Sequence, residues 1–398
     1  MKRNDLSRAL VAFDQNSTIV AVVELSLKTW LVSGLVPGVM RQPLKKQPAD
    51  PERLLALLER WRQEAAKAGH AVGRIAVAFE AGRDGFWLAR WLRSRGIEAY
   101  VIHASSLAVS REHRRAKTDR LDTETLMRAF LGWLRGEVRH CQMAAIPTLA
   151  QEDAKRPSRE HESLVAERTR ITNRMTAILV WLGLPKVNIK LRKAAEHLAA
   201  LRTPEGEPVP PNTLAELHRG LARLAVIRAQ IKAIEEARLE RLKAAPAQGT
   251  HPMMLMLAKV LGLGIETADM LVHEVLARQL RDERAVARYG GLTGAPDESG
   301  SKRREQGLAK AGNGRVRGTP PNYVRRGPRR RGMLQLAWRW LKFQNDSALA
   351  QWYRSRTTDG RRDTRKTMIV ALARKLLIAL WRYVTTGELP QGIVLKAA

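Results

Sequence analysis

The stretch RIAVAFEAGRDGFWLARWLRSRGIEAYVIHA, residues 74–104, decides the fold of the N-terminal part of the chain. Its first segment, RIAVAFEA at 74–81, is apolar almost throughout and predicts a buried strand, and EAYVIHA at 98–104 predicts a second strand. Between them, FWLARWLRSR predicts a helix that ends at Gly96. A strand, a helix and a strand in this order indicate an α/β domain.

The flanking segments extend this pattern in both directions. Residues 18–48 alternate in the manner of strands, with a turn at Pro37-Gly38, and predict an antiparallel meander of three strands. Asp50-Pro51 then supplies an N-cap and a proline at the first position of a helix. A further helix is predicted from about Asp119 to Leu134. The whole order is also that of the ribonuclease-H-like fold.

Residues 151–246 are helical in pattern, charged and nearly free of aromatic residues. Apolar residues recur there at spacings of three and four, which is typical of a coiled-coil hairpin or arm. They are Leu214, Leu217, Leu221, Leu224, Ile227, Ile231 and Ile234. Two arrangements fit this repeat: dimerisation through the arm, and packing of the helices within one chain. Residues 252–398 form a third, mostly helical region with a very basic middle.

Charge indicates the kind of partner. The chain has 398 residues, 70 Lys plus Arg against 39 Asp plus Glu, and a formal net charge of +31. Such a charge favours a polyanion, usually nucleic acid, over a membrane surface or a merely solvated face. A single cysteine excludes a disulfide framework. With no signal peptide and no membrane-spanning stretch evident, we expect a cytoplasmic, nucleoid-associated bacterial protein without membrane partners.

Four acidic residues form a candidate metal site. Glu24 and Glu80 end apolar strands, where a charge is costly, and Asp119 and Asp122 lie three apart on one helix face. Clustered carboxylates would repel each other without cations, and their hard oxygens suit Mg²⁺ or Mn²⁺. The alternative for the two aspartates is a solvated helix start, where acids favour the helix dipole.

Two further motifs point to nucleic acid. The segment VLGLGIETADML at 260–271 places Gly262 and Gly264 in a turn between two helices. Such a turn is typical of a helix-hairpin-helix motif, in which backbone amides approach a DNA phosphate. The alternative is a simple turn at which glycine allows two helices to pack tightly. Within residues 289–317, Ser299 and Gly300 are predicted to lie in a flexible loop. Ser299 is either a nucleophile, or the Ser-Gly pair simply forms a turn. The candidate phosphate-binding cations are Lys117, Lys302, Arg303, Arg304, Lys310, Arg315 and Arg317.

Three motifs carry a resemblance to a known family. They are VAFEAGRDGFWLARWL, AKTDRLDTETL and YGGLTGAPDESGSKRREQGLAKAGNGRVR. With these motifs the chain resembles, over nearly its whole length, the insertion-sequence 110 transposases, also called DEDD transposases or bridge-RNA-guided recombinases. ELSLKTW, residues 24–30, resembles the first family motif only loosely.

The resemblance implies three domains: a RuvC-like domain at 1–145, a coiled-coil helical linker at 146–250 and a C-terminal transposase domain at 251–398. It implies that Glu24, Glu80, Asp119 and Asp122 form the acidic tetrad and that Ser299 is the catalytic serine. It further implies a composite site in a homo-oligomer, a dimer or tetramer, in which the serine attacks DNA and forms a phosphoserine link. A structured guide RNA is an implied partner beside DNA.

Two departures from the family pattern bear on activity. Glu24 stands where the family usually has Asp; glutamate is one methylene longer, and Asp14 is the fallback position. The stretch GTPPNYVRRGPRRRG at 318–332 resembles an insertion, or a locally altered reading frame, before the helix MLQLAWRWLKF. Two other functions therefore stand beside the recombinase: a junction-resolving nuclease that uses only the carboxylates, and an inactive nucleic-acid-binding remnant.

Overall fold

The protein is described by a computed structural model. It covers residues 12–82, 85–107, 119–137, 140–184, 188–189, 193–244, 250–299, 302–308, 312–318 and 332–396, and gives only the backbone of 105, 119, 295–299 and 302–307. The described chain forms two compact units, residues 1–152 and 153–398. The division of the second part into residues 146–250 and 251–398 stays a prediction.

The first unit is built on a five-stranded mixed sheet. Its elements are β1 (Thr18–Glu24), β2 (Thr29–Leu35), β3 (Leu44–Pro48), α1 (Pro51–Lys67), β4 (Arg74–Glu80), α2 (Trp87–Arg93), β5 (Glu98–Ile102), α3 (Asp119–Leu134) and α4 (Leu149–Asp153). The strand order is β3-β2-β1-β4-β5, with β1 antiparallel to β2 and parallel to β4. Both the meander and the strand–helix–strand unit that the sequence predicts are therefore confirmed.

Strand β1 is the centre of this sheet, and helices cover both of its faces. Ile19, Ala21 and Val23 pack into the core beneath α1 and α2, whereas Val20 and Val22 pack beneath α3. The apolar character of TIVAVVE follows from this double burial. Helix α1 begins where the sequence predicts, because the Asp50 carboxylate accepts hydrogen bonds from two amides of its first turn.

The second unit is almost entirely helical. Its helices are α5 (Arg156–Trp181), α6 (Ala194–Ala200), α7 (Pro211–Lys243), α8 (His251–Ala258), α9 (Ile265–Leu271), α10 (Glu283–Tyr289), α11 (Gly314–Arg317), α12 (Met333–Phe343), α13 (Ala348–Ser355) and α14 (Arg362–Thr386). A turn of π-helix, Val272–Leu276, follows α9 directly, and the strands β6 (Gly294–Ser299) and β7 (Lys302–Leu308) pair with each other.

Helices α5 and α7 form an antiparallel hairpin. Near its far end Leu179 and Leu217 share one apolar cluster, and nearer the unit's core Leu164 packs with Ile231. All seven apolar residues of the predicted repeat are buried or partly buried in these two clusters. Packing within one chain therefore accounts for the repeat, while dimerisation through the arm stays a prediction.

Candidate active site

The ends of two neighbouring parallel strands place Glu24 beside Glu80. Val23 of β1 and Phe79 of β4 are register partners, and the two glutamates are the next residues along their strands. Side chains alternate along a strand, so both glutamates belong to the face that bears Val22 and Ala78. That face is the one that α3 covers.

Helix α3 brings the two aspartates to the same end of the sheet. The guanidinium of Arg135, one residue beyond the helix, lies 6.0 Å from the ring of Phe13, which precedes β1. The C-terminal end of α3 is thus at the amino end of β1, and the helix runs antiparallel to that strand. Its first turn, which carries Asp119 and Asp122, consequently lies toward the carboxyl ends of β1 and β4.

The three described members of this acidic set are half-buried. Among the described side chains, Glu24, Glu80 and Asp122 do not bring their carboxylate oxygens all within 4.8 Å of one another. Glu24 also lines a cavity of about 130 Å³ together with Ser26, Thr29 and Lys46. The structure thus gathers the acids at one end of the sheet, next to a small cavity, without joining them in one compact cluster.

Asp14, the fallback for Glu24, lies at the other end of the sheet. It precedes β1 and accepts hydrogen bonds from the Ser17 hydroxyl at 2.5 Å and from the Asn16 amide at 3.0 Å. The hydrogen bond from Ser17 lowers the pKa of the Asp14 carboxyl. Because Asp14 and Glu80 are separated by the length of the strands, Glu24 is the better partner for Glu80.

Ser299 lies at the end of a β-ribbon, not in the flexible loop that the sequence predicts. It is the last residue of β6, and Lys302, the first residue of β7, is its partner across the antiparallel pair. The register also pairs Glu298 with Arg303 and Asp297 with Arg304. Backbone hydrogen bonds hold this polar segment as two strands. The sequence of the two strands lacks the alternation of apolar and polar residues from which strands are predicted.

Comparisons with known proteins identify the family of the chain. A family model described as "Transposase" matches residues 41–182, and one described as "Transposase IS116/IS110/IS902 family" matches residues 254–319. A curated relative is "Putative transposase y4rJ" from Sinorhizobium fredii (strain NBRC 101917 / NGR234). The two sequences are 40% identical over 389 residues, which cover 95% of this chain and 94% of the relative's length. The chain belongs to the IS116/IS110/IS902 family of transposases. No solved structure matches it.

In the part of this transposase that the second family model matches, the buried carboxylate of Glu274 holds the turn at Asn313 in place. Glu274, in the π-helical turn, accepts hydrogen bonds from Arg159 at 2.9 and 3.2 Å and from the side-chain amide of Asn313 at 3.0 Å. Burial would raise the pKa of Glu274, but the Arg159 guanidinium and the Asn313 amide hold it below its usual value. Asn313 in turn caps α11, which carries Arg315 and Arg317.

Sequence reasoning missed Glu274, although a signal for it exists. The residue interrupts the apolar run LVHEVLA at 271–277, and a charge placed in such a run must be compensated once buried. Arg315, predicted to bind phosphate, forms an ion pair with Glu162 of α5. Among the transposase's other predicted cations, Lys117 and Lys310 lie outside the described residues, and only the backbone is described for Lys302, Arg303 and Arg304.

The glycine turn between α8 and α9 has a packing role at one of its two positions. Gly262 has a φ of +86°, and a Cβ added there would lie 2.7 Å from the Cβ of Phe343. Tight helix packing therefore accounts for Gly262. Gly264 is the N-cap of α9, and a Cβ there would meet nothing within 4 Å, so nucleic-acid binding at Gly264 stays a prediction. No helix among the described residues is long and apolar enough to cross a membrane.

Proposed function

We propose that this transposase cuts and rejoins DNA with an acidic metal site in its first unit and a serine nucleophile in its second. The observation that supports the metal site is the placement of Glu24 and Glu80 at adjoining carboxyl ends of parallel strands, with the first turn of α3 at the same end. Such strand ends are where α/β sheets gather ligand-binding groups.

The acidic residues fit divalent cations by the chemistry of their donors. Glu24, Glu80, Asp119 and Asp122 offer only carboxylate oxygens, which suit Mg²⁺ or Mn²⁺. Two ions about 3.5–4 Å apart need ligands spread over more than one coordination sphere, which agrees with acids that share one end of the sheet without forming one compact cluster. Ions bound there would offset the negative charge that develops on the phosphate during displacement.

Ser299 supplies the nucleophile in this proposal. Its hydroxyl oxygen forms a bond to the phosphorus of a DNA phosphodiester, the bond to the leaving deoxyribose oxygen breaks, and the hydroxyl proton ends on that leaving oxygen. The rejoining step reverses these changes with a new DNA hydroxyl, so no oxidant or reductant is consumed. Lys302, the register partner of Ser299, and its neighbours Arg303 and Arg304 supply positive charge for the phosphate.

The partners of the reaction belong to the proposal as well. DNA is the substrate, and the net charge of +31 favours a second polyanion, for which we propose an element-encoded structured RNA. The assembly that carries out the reaction is proposed to be a dimer or tetramer. A nuclease that resolves junctions with the carboxylates alone would need neither Ser299 nor the rejoining step.

A strand-transfer assay on DNA that carries the element ends tests the proposal. We expect Asp122→Asn to abolish strand transfer while leaving the thermal unfolding temperature almost unchanged, because half-buried surface acids contribute little to stability. Glu124→Gln is the matched control, since Glu124 lies on the same helix and forms only an exposed pair with Arg120. Full strand transfer by Asp122→Asn would overturn the metal assignment, whereas DNA cleavage by Ser299→Ala at the wild-type rate would favour the nuclease.

A further inference from the structure

Three side chains outside the proposed active site converge where the α5–α7 hairpin meets α9. The Nε2 atom of His161, on α5, lies 2.9 Å from an Oε1 of Glu235, on α7, and 3.3 Å from an Oε1 of Glu266, on α9. One nitrogen and two carboxylate oxygens thus lie within 4.8 Å of one another, although they come from three helices that are far apart in the sequence.

The charges of this cluster favour the binding of a cation, because two carboxylates face a single imidazole. His161 is buried, and the two glutamates are partly exposed. Even when protonated, Nε2 carries one hydrogen, which has to serve two carboxylates. A divalent cation in place of that proton would face two negative charges and one neutral imidazole, so the charges would balance.

The spacing of the three atoms suits a tetrahedral ion. Zinc binds histidine nitrogen at about 2.0–2.1 Å and carboxylate oxygen at about 2.0–2.2 Å, so two ligand atoms of a tetrahedral site lie about 3.4 Å apart. The distance of 3.3 Å from Nε2 to Glu266 is close to this value, and the distance of 2.9 Å to Glu235 is that of the hydrogen bond that the ion would replace. Mixed imidazole and carboxylate ligands favour zinc over magnesium, which prefers six oxygen ligands. The partial exposure of both glutamates provides an entry path.

The positive charge of Arg238, which acts on His161, is compensated by another group. Its guanidinium donates to Asp269 at 3.1 Å, and both side chains are buried. The other oxygen of Asp269 faces Nδ1 of His273 at 3.0 Å. Asp269 therefore offsets the charge that Arg238 brings to this region, which lowers the repulsion that an ion at His161 would feel.

We propose that His161, Glu235 and Glu266 form a zinc site, separate from the acidic tetrad, that fastens the α5–α7 hairpin to α9. Each of the three helices contributes one ligand, and water completes the tetrahedron. Binding of the ion would stabilise the arrangement of the hairpin on α9, because the site forms only when all three helices are in place.

The test uses the full-length Asp122→Asn protein, which is altered in the proposed active-site acids, and zinc ions as the only added ligand. The protein is first stripped of metal with a chelator and dialysed. After zinc is added back and the excess is removed, we expect one zinc per chain by elemental analysis and a higher unfolding temperature than without zinc. His161→Ala should weaken zinc binding at least tenfold and remove that rise. His218→Ala is the matched control, because His218 is exposed on α7.

A second variant keeps the test decisive if His161→Ala does not fold. Glu235→Gln replaces a ligand that is partly exposed, and it should also weaken zinc binding at least tenfold. Zinc binding that is absent, or equal in the ligand variants and in His218→Ala, would overturn the proposal. An unfolding temperature that follows the protonation of His161 but ignores zinc would also overturn it. These outcomes involve no strand transfer, so they are independent of the proposed function.

Discussion

Gly318 and Gly332 lie next to each other, although residues 319–331 separate them in the sequence. A Cβ built on Gly332 would lie 2.6 Å from the Cα of Gly318. With a Cα–Cβ bond of roughly 1.5 Å, the two Cα atoms are at most about 4.1 Å apart, close to the 3.8 Å of neighbouring residues. The two residues that flank the segment 319–331 are therefore close neighbours in the fold.

Deletion of residues 319–331, with Gly318 joined directly to Gly332, should preserve the fold. Both glycines remain, so the close approach of the two backbones and the φ of +80° at Gly318 are kept. We expect the thermal unfolding temperature to change by only a few degrees, because the entropic cost of bringing two points of a chain together depends only weakly on the number of residues between them. Circular dichroism measures this directly. Unfolding of the deletion variant at room temperature would show that the segment is part of the structure.

The same segment should contribute to nucleic-acid binding through its charge. The span from Lys302 to Arg331 has eleven Lys or Arg residues against one acid, Glu305, and five of those arginines fall in 319–331. For duplex DNA, we expect the logarithm of affinity to fall with the logarithm of salt concentration with a slope of about −0.9 per neutralised phosphate. Replacing the five arginines with glutamine should make this slope shallower; an unchanged slope would mean that they contact no phosphate.

Glu24, and not Asp14, should be required for activity. The two acids lie at opposite ends of β1, and only Glu24 shares the end of the sheet that bears Glu80 and the first turn of α3. Glu24→Gln should abolish strand transfer, whereas Glu24→Asp, which restores the usual family residue, should retain it. Asp14→Asn is the control and should leave strand transfer unaffected. Loss of strand transfer in Asp14→Asn with normal activity in Glu24→Gln would reverse the assignment.

Glu274 should stabilise the second unit in a pH-dependent way. Its carboxylate is buried between Arg159 and Asn313, and its pKa is lower in the folded protein than in the unfolded chain. Its contribution is therefore fully present above the unfolded value of about 4.3 and is lost as the pH falls through the folded pKa. Glu274→Gln should cost about 1–3 kcal/mol near neutral pH.

Chemical denaturation at several pH values checks this prediction. The difference in unfolding free energy between wild type and Glu274→Gln should be largest at neutral pH and should shrink as the pH falls below about 4. Glu283→Gln is a control, because Glu283 forms its ion pair with Arg382 at the surface. A difference that grows toward acid pH would contradict the lowered pKa of Glu274.

The sequence predicts the first unit better than the second. In residues 18–102 the buried strands are marked by runs of apolar residues, and Asp50-Pro51 and Gly96 mark helix ends, so the elements follow from local patterns. The β6–β7 ribbon was missed because its residues are polar on both strands. Partners that lie far apart in the sequence are also beyond local patterns: Arg159 and Glu274 are 115 residues apart.

The positions of the candidate site residues follow the same division. Glu24 and Glu80 are predictable because each ends an apolar strand, and the parallel pairing of β1 with β4 brings them together. The helix that carries Asp119 and Asp122 is predictable from the sequence, but the direction in which α3 crosses the sheet is set by tertiary packing. The cluster of His161, Glu235 and Glu266 has no sequence pattern at all, since each ligand comes from a different helix.

In the proposed mechanism, the attack of Ser299 on DNA leaves a covalent link between the protein and the DNA, and the residue that carries this link can be identified directly. The wild-type protein is incubated with Mg²⁺ and DNA that carries the element ends, the mixture is denatured and digested, and the residue linked to nucleotide is located by mass spectrometry. We expect a phosphodiester on Ser299 in the wild-type protein, and no adduct in Ser299→Ala, which should also fail to rejoin strands. An adduct on Tyr289 or Tyr323, or strand transfer by Ser299→Ala, would contradict the proposal that Ser299 is the nucleophile.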